Sequence, residues 1–266
     1  MKLDNTYTNR QQDKTMNDDL VSIIMPMHNS ASYLCEAIDS VQAQTYKNWE
    51  LLIVDDVSTD NSVEIAERYA INDKRIRIFH NPNHIKMPSA PRNIGVQAAK
   101  GRFIAFLDSD DFWYPQKLEQ QLPLFSDNRT AIVYSNYEKI DGNSMRASRI
   151  VTAPSFATYK SLLQGNVIGN LTAIYDTKKA DKVNILNIHH EDYVMWLSIL
   201  KKGYIARNVG TTLAAYRETD HSVSSNKLKV TTWQWYIYRK IEHISLLRSI
   251  YYFVFYAFKA FRKNLI

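Results

Sequence analysis

The strongest constraint on the fold is a regular alternation, in the first half of the chain, of short apolar runs with segments of helical spacing. The apolar runs predict strands at Val21–Pro26, Glu50–Val54, Arg75–Phe79 and Arg102–Leu107. The intervening segments predict helices over Ser30–Gln44, Asp60–Ala70 and Ser89–Lys100. Such alternation is typical of α/β proteins with a mostly parallel central sheet flanked by helices.

Polar loops follow three of these strands: Pro26-Met27-His28-Asn29, Asp55-Asp56 and Asp108-Ser109-Asp110-Asp111. In open parallel sheets, ligands bind where the strands end, so we expect five carboxylates at one edge. Clustered carboxylates are hard to keep ionised together. A divalent cation such as Mg²⁺ or Mn²⁺ would offset their charge and bind substrate phosphates as well. The alternative is a solvated turn, because Asp and Ser are turn formers.

Two arginines are candidates for binding the phosphates. Arg92 could bind phosphate or be an ordinary surface arginine. Arg217 precedes a polar segment that contains Ser222, Ser224 and Ser225. That segment is either an ordinary loop or a flexible lid from which Arg217 and the hydroxyls would contact phosphate.

An acidic pair, Glu191-Asp192, begins a predicted helix over His190–Lys202. Acids at this position complement the helix dipole, which is a purely structural explanation. The functional alternative is a general base that removes a proton from an acceptor hydroxyl.

The rest of the second half is less regular. It predicts a helix at Pro115–Phe125, strands at Ala131–Ser135, Leu171–Tyr175 and Leu213–Tyr216, and a loop at Asp141–Ser155. We divide the chain into a flexible N-terminal extension (1–19), a catalytic domain (20–225, with a nucleotide-binding half at 20–112 and an acceptor half at 113–225) and a tail (226–266).

The tail concentrates the positive charge of the chain. It holds eight Lys or Arg residues and one acid, Glu242, together with eleven aromatic residues. This composition predicts two basic, aromatic-rich helices, which favour an anionic membrane surface over a nucleic acid as partner. The alternatives are packing on the catalytic domain or a homodimer interface. The longest apolar run, Ile250–Ala257, is too short to span a bilayer.

The sequence lacks several motifs that are typical of other classes of nucleotide-binding enzymes. The first strand is not followed by GxGxxG, and GxxxxGK[ST] does not occur, which disfavours dinucleotide oxidoreductases and P-loop enzymes. The single cysteine, Cys35, excludes an intramolecular disulfide and a multi-cysteine zinc site. Residues 1–19 contain no apolar run of a signal peptide, so we expect a cytoplasmic protein.

Five segments in order resemble bacterial family 2 glycosyltransferases of the Rossmann-like GT-A fold. They are VSIIMPMHN, ELLIVDDVSTDNS, APRNIGVQAAKGRFIAFLDSDDFW, HHEDYVMWLSILKKG and YRETDHSVSSNKLK, and the similarity runs from about Leu20 to Arg248. The resemblance implies transfer of a sugar from a nucleotide donor, with UDP the expected nucleotide, to an acceptor hydroxyl with inversion. With the tail, it predicts a polyprenyl-linked glycan acceptor, used in O-antigen or capsule assembly at the inner face of the cytoplasmic membrane.

The resemblance also implies roles for single residues in donor binding. Pro26, His28 and Asn29 fall in the first nucleotide-contacting loop. Asp55 and Asp56 match the acidic pair that contacts uracil, with Asp56 favoured.

Further along the chain, Asp60 completes the second loop and Arg92 lies near the base and diphosphate. Asp108, with Ser109 beside it, lies near the ribose, and Asp110 is the expected metal ligand for Mn²⁺ or Mg²⁺.

On the acceptor side, Asp192 matches the catalytic base and Glu191 is its neighbour near the acceptor. Three positions depart from the family pattern: His28 replaces a tyrosine, Val57 replaces a glycine, and Thr219 stands where family members often have a histidine. A positive φ at Val57 would be strained.

Two other functions remain open. A nucleotidyltransferase that forms sugar nucleotides shares a similar sheet, but PMHNSAS is not the Gly-rich basic loop that it needs after the first strand. An inactive membrane-bound scaffold would have no need for Asp108, Asp110 and Asp192.

Overall fold

The computed structural model describes residues 19–82, 89–142, 146–218 and 227–263. Its first half has the predicted alternation of strands and helices. The strands are β1 (Val21–Met27), β2 (Trp49–Asp55), β3 (Ile76–His80) and β4 (Phe103–Phe106). The helices between them are α1 (Leu34–Gln42), α2 (Ser62–Asn72) and α3 (Ser89–Ala98).

The second half has longer strands and shorter helices. Its strands are β5 (Phe112–Trp113), β6 (Thr130–Ile140), β7 (Arg146–Val151), β8 (Phe156–Ala157), β9 (Ile174–Asp176) and β10 (Ile205–Arg217). Its helices are α4 (Lys117–Gln121), α5 (Tyr159–Leu162), α6 (Thr177–Ala180), α7 (Glu191–Leu200), α8 (Lys227–Tyr236) and α9 (Leu246–Lys263). Short 3₁₀ turns cover Leu122–Ser126 and Asn170–Thr172, and a π-helical turn, Ile237–Ile241, follows α8.

One sheet joins all the strands in the order β3-β2-β1-β4-β9-β6-β10-β5, with β7 beside β6 and β8 beside β10. Strands β1 to β4 are parallel, and so are β6 and β10. Strand β9 runs antiparallel between β4 and β6, and β5 is antiparallel to β10. The predicted α/β class with a mostly parallel sheet is therefore confirmed.

The core lies on both faces of this sheet. Along β1, Ile23 and Met25 pack into the cluster that contains Ile38 of α1, whereas Ile24 packs into the opposite cluster with Trp196 of α7. Successive side chains of a strand point to opposite faces. A strand covered by helices on both sides therefore needs the continuous apolar run seen in the sequence.

Two local predictions are wrong. The segment Asp141–Ser155, predicted as a loop, contains strand β7, which pairs with β6. The first helix begins only at Leu34, and its preceding residue, Tyr33, provides no side-chain cap. Strand β7 forms because it pairs with residues 137–140 of β6, and no periodicity within the segment predicts this pairing.

The tail forms the two predicted helices, and its first part packs on the preceding part of the chain. Ile237 and Tyr238 are fully buried, and Trp233 stacks on His189 with ring centroids 3.9 Å apart. Among the described residues, no helix is both long and apolar enough to cross a membrane. The extension up to residue 18 and the lid serines Ser222, Ser224 and Ser225 lie outside the described residues.

Candidate active site

Three polar segments, which we call the carboxylate loops (residues 28–30, 55–60 and 108–111), lie together because β1 pairs with both β2 and β4. Adjacent strands are about 4.8 Å apart, so the loops after β2 and β4 begin about 10 Å from each other. Direct bonds connect them. The Asp56 N–H donates to the Met27 carbonyl at 2.8 Å, and the Ser30 and Ser109 hydroxyls lie 2.6 Å apart.

The loop after β2 is held from within and from its neighbour. The Asp55 carboxylate is buried and accepts the Ser58 N–H at 3.1 Å. Asn29 accepts the Thr59 N–H at 2.7 Å. Val57 adopts φ 61°, so the strain expected from the missing glycine is present. The Asp55 carboxylate therefore stabilises the loop from within. The predicted donor-binding residue Pro26 is part of β1.

Asp56 contacts polar side chains from the ends of β1 and β3. Its carboxylate accepts the Asn81 amide N–H at 2.6 Å, and its carbonyl lies 2.7 Å from His28 Nδ1, which must carry the proton for this bond. Sequence reasoning missed Asn81. It could have been found, because it directly follows β3 and so reaches the same edge of the sheet as the other loops.

Asp60 connects this loop to the segment before α1. Its carboxylate accepts the Ala31 N–H at 3.0 Å, and the Ser62 N–H and hydroxyl at 3.0 and 2.5 Å. Partial burial acts to raise the pKa of Asp60, but the hydrogen bonds from Ser62 and Ala31 lower it below its usual value. The second helix, predicted to begin at Asp60, begins at Ser62.

The loop after β4 concentrates negative charge. Burial raises the pKa of Asp110, and the charge of Asp108 raises it further. Burial and the charge of Asp110 also raise the pKa of Asp111 well above its usual value. Raised values mean that ionisation is costly without a nearby cation. The hard oxygen donors of this loop therefore fit Mg²⁺ or Mn²⁺. Within the described ranges, no three acidic or imidazole groups form a complete metal site by themselves.

Arg92, on α3, connects this loop to the start of α7. Its guanidinium donates to Asp108 at 2.6 Å and to Glu191 at 2.5 Å, and only 6% of the residue is exposed. Burial acts to lower the pKa of Arg92, but the charges of Asp108 and Glu191 raise it above its usual value. Arg92 is therefore not a surface arginine.

Asp192 lies in the first turn of α7, next to Glu191. Burial raises the pKa of Asp192 to about 6, and the charge of Glu191 adds to this effect. The Asn166 amide donates to its carboxylate at 3.3 Å. A half-buried carboxylate with a pKa near neutral is suited to general base catalysis.

A cavity of about 740 Å³ opens beside Asp192. It lies between β6, β7, the segment 164–169 and the tail helix α9, which contributes Tyr256 and Lys259. None of the segments that enclose it stood out in the sequence, apart from Asp192 and the tail. We call it the Asp192 cavity.

Arg217 is placed differently from its prediction. It is 2% exposed, and its guanidinium donates to the Asp110 carbonyl at 2.7 Å and to the Glu36 carboxylate at 2.5 Å. Its backbone N–H donates to the Asp111 carboxylate at 2.9 Å. These contacts favour a positioning role for Arg217 beneath the loop over direct contact with phosphate from a flexible lid.

Comparisons with known proteins show the family of this chain. The model of the family "Glycosyl transferase family 2" matches residues 22–180. The Escherichia coli protein WfgD is 40% identical, and the alignment covers 94% of this chain and 96% of WfgD. The Escherichia coli protein WfaP is 37% identical, and the alignment covers 79% of this chain and 82% of WfaP. Both are named UDP-Glc:alpha-D-GlcNAc-diphosphoundecaprenol beta-1,3-glucosyltransferases.

A solved structure with the same fold is the mannosyltransferase PcManGT from Pyrobaculum calidifontis, in complex with GDP-Man and Mn²⁺. The TM-score is 0.66 at 14% identity, over 88% of this chain and 69% of that one. Fold and sequence thus agree: this chain belongs to glycosyl transferase family 2.

Proposed function

We propose that this enzyme transfers a sugar from a UDP-sugar to a hydroxyl of a lipid-linked glycan, with inversion, in the synthesis of a bacterial surface polysaccharide. The observation that carries the proposal is the position of Asp192. Asp192 lines the Asp192 cavity, and the Asp108–Arg92–Glu191 bridge connects the start of its helix to the carboxylate loops. Residues 20–112 would bind the donor and residues 113–225 the acceptor.

The carboxylate loops would bind the nucleotide. Asp56 and Asn81 present a carboxylate and an amide for the edge of the base, and His28 has a ring that can stack on it. Asp108 would lie near the ribose. Asp110 would hold Mn²⁺ or Mg²⁺, hard cations that prefer carboxylate and phosphate oxygens as ligands. When bound, the ion stabilises negative charge on the departing diphosphate. The Mn²⁺ and GDP-Man of PcManGT support this assignment.

Asp192 would act on the acceptor. Its carboxylate would take the proton of the attacking hydroxyl as the new bond forms to the anomeric carbon and the bond to the nucleoside diphosphate breaks on the opposite face. A single displacement of this kind inverts the configuration. The acceptor named for WfgD and WfaP, a sugar joined to undecaprenol through diphosphate, supports a lipid-linked acceptor here.

A donor and acceptor screen tests this proposal. The full chain is incubated with UDP-sugars and GDP-Man, with a prenyl-diphosphate-linked N-acetylglucosamine acceptor, and with Mn²⁺, Mg²⁺ or EDTA. We expect UDP release and a product one hexose heavier by mass spectrometry, both dependent on the metal. Pyrophosphate release from a sugar phosphate and UTP would instead indicate a nucleotidyltransferase. No turnover with any donor would indicate an inactive scaffold.

We also propose that α9 attaches the enzyme to the inner face of the cytoplasmic membrane. Leu247, Val254 and Phe258 are 82%, 60% and 58% exposed on this helix, which also carries the exposed Arg248. An amphipathic helix with aromatic and basic residues binds anionic interfaces.

Flotation with liposomes that contain anionic lipid tests the attachment. We expect the wild type to float and Leu247→Asp/Phe258→Asp to stay at the bottom. Ile71→Asp, which changes an exposed apolar residue on α2, is the matched control and should float. A protein that does not float and forms dimers in light scattering would show that α9 is a homodimer interface instead.

A further inference from the structure

The Asp192 cavity carries more positive than negative charge. Lys139, Arg149 and Lys259 line it, whereas Asp192 is its single lining carboxylate. Lys139 forms an ion pair with Glu218. Within the described residues, no carboxylate pairs with Arg149 or Lys259. Among the residues that the structure describes, the cavity therefore has two cations that form no ion pair with a carboxylate.

The placement of Arg149 makes this excess of charge more specific. In the β6–β7 pair, Arg149 lies directly opposite Lys139. Like charges in opposite positions on neighbouring strands are destabilising. Glu218 offsets the charge of Lys139 but leaves Arg149 exposed at the cavity. A bound anion would remove the remaining cost.

Lys259 approaches from the other side, on α9. Its ammonium donates to the Gln164 side chain at 3.2 Å, and partial burial lowers the pKa of Lys259. Two positions further along the chain, Asn166 donates to Asp192. The Cα atoms of residues two apart lie within about 7 Å of each other. The same short segment thus holds both the proposed base and a cation.

The residue between them is a glycine for a physical reason. Gly165 has φ +132°, which side chains rarely adopt. A Cβ at this position would make only an ordinary contact with the Tyr256 ring of α9, at 3.6 Å, so the backbone conformation alone requires glycine. The turn and α9 lie next to each other, and α9 forms part of the cavity wall as well as presenting an apolar face outward.

We infer that Arg149 and Lys259 bind the phosphate groups that join the acceptor sugar to its lipid, an inference that rests on the proposed acceptor class. Two cations on separate elements can both donate to an anion with several oxygens. The neighbours of Lys259 indicate a lipid rather than a free anion. Phe255 and Phe258, on the same helix, are 39% and 58% exposed. The lipid would follow this apolar face while the sugar points toward Asp192.

Binding of geranyl diphosphate to the full chain tests this subsite. Saturating UDP and Mn²⁺ are present, so that the donor site is filled, and the affinity is measured by calorimetry. We expect Arg149→Gln and Lys259→Gln each to weaken binding about tenfold, the value of one charge-assisted hydrogen bond. Lys259→Arg should restore most of the affinity. Arg248→Gln removes the same charge from α9 outside the cavity and should change nothing.

The outcomes separate this inference from the proposed function. If the wild type does not bind geranyl diphosphate, or if all variants bind it equally, the subsite does not exist. Geraniol, which lacks phosphate, should bind all proteins equally, and equal losses for geraniol and geranyl diphosphate would also overturn the assignment. If the variants lose diphosphate binding but the wild type transfers no sugar from any donor, the subsite stands and the proposed function fails.

Discussion

The carboxylate loops and the Asp192 cavity meet at the start of α7, but they are built in opposite ways. In the loops, several polar side chains are bonded to another loop or to an adjacent segment, as in the pairs Ser30–Ser109 and Asp56–Asn81. In the cavity, the Asn166 amide is 3.3 Å from the Asp192 carboxylate, and Arg149 has no carboxylate partner among the described residues. The loops are thus pre-organised before a ligand binds, whereas the cavity leaves charges for its ligand to satisfy.

We expect the largest effect on activity from Asp192→Asn. The change removes the proposed base but leaves the carboxylate loops intact. We expect the rate of sugar transfer to fall by roughly 10²–10⁴-fold, the usual contribution of a positioned general base. UDP binding, measured by calorimetry, should be unchanged. Transfer at the wild-type rate would show that the base lies elsewhere.

Arg92→Gln tests the bridge between the two regions. Removing one partner of a buried ion pair leaves uncompensated charge, so the free energy of unfolding should fall by about 3 kcal/mol. Urea denaturation measures this change. Arg68→Gln breaks the exposed Arg68–Glu64 pair and should cost no more than about 0.5 kcal/mol. Equal losses of stability in the two variants would show that the ion pairs of Arg92 do not stabilise the fold.

The pH dependence of kcat/KM tests the electrostatics of the cavity. Since Asp192 must be ionised to accept a proton and its pKa is about 6, activity should fall about tenfold per pH unit below that value. Glu191→Gln removes a neighbouring negative charge that raises this pKa, so the inflection should move to lower pH. An inflection that does not move in this variant would assign the profile to another group.

Val57→Gly tests the cost of pre-organisation in the loops. Glycine adopts φ 61° without the steric cost that valine pays, so the variant should be more stable by about 1 kcal/mol. The urea midpoint should rise with an unchanged slope. Val57→Ala keeps a Cβ and should change little. A gain of the same size from alanine would attribute the effect to the valine side chain rather than to the backbone.

The tail shows which structural features the amino-acid composition predicts and which it leaves open. Its basic and aromatic content predicted both helices, but left membrane binding and packing on the domain as alternatives. The structure divides the tail between packing and exposure, with Tyr238 buried and Leu247 exposed. Composition cannot make this division, because it depends on which residues the rest of the chain covers.

The apolar runs of the first half predict its parallel strands and the carboxylate loops that follow them, because both features are local in the chain. Buried strands need continuous apolar runs, and the carboxyl ends of neighbouring parallel strands share one edge, so Asp56 and Asp108 could be placed from spacing alone. Only the tertiary structure showed that Arg217 braces the loop after β4 and that Arg149 and Lys259 line one cavity. Those contacts join residues that are far apart in the chain, and the periodicity of the sequence does not predict contacts of this kind.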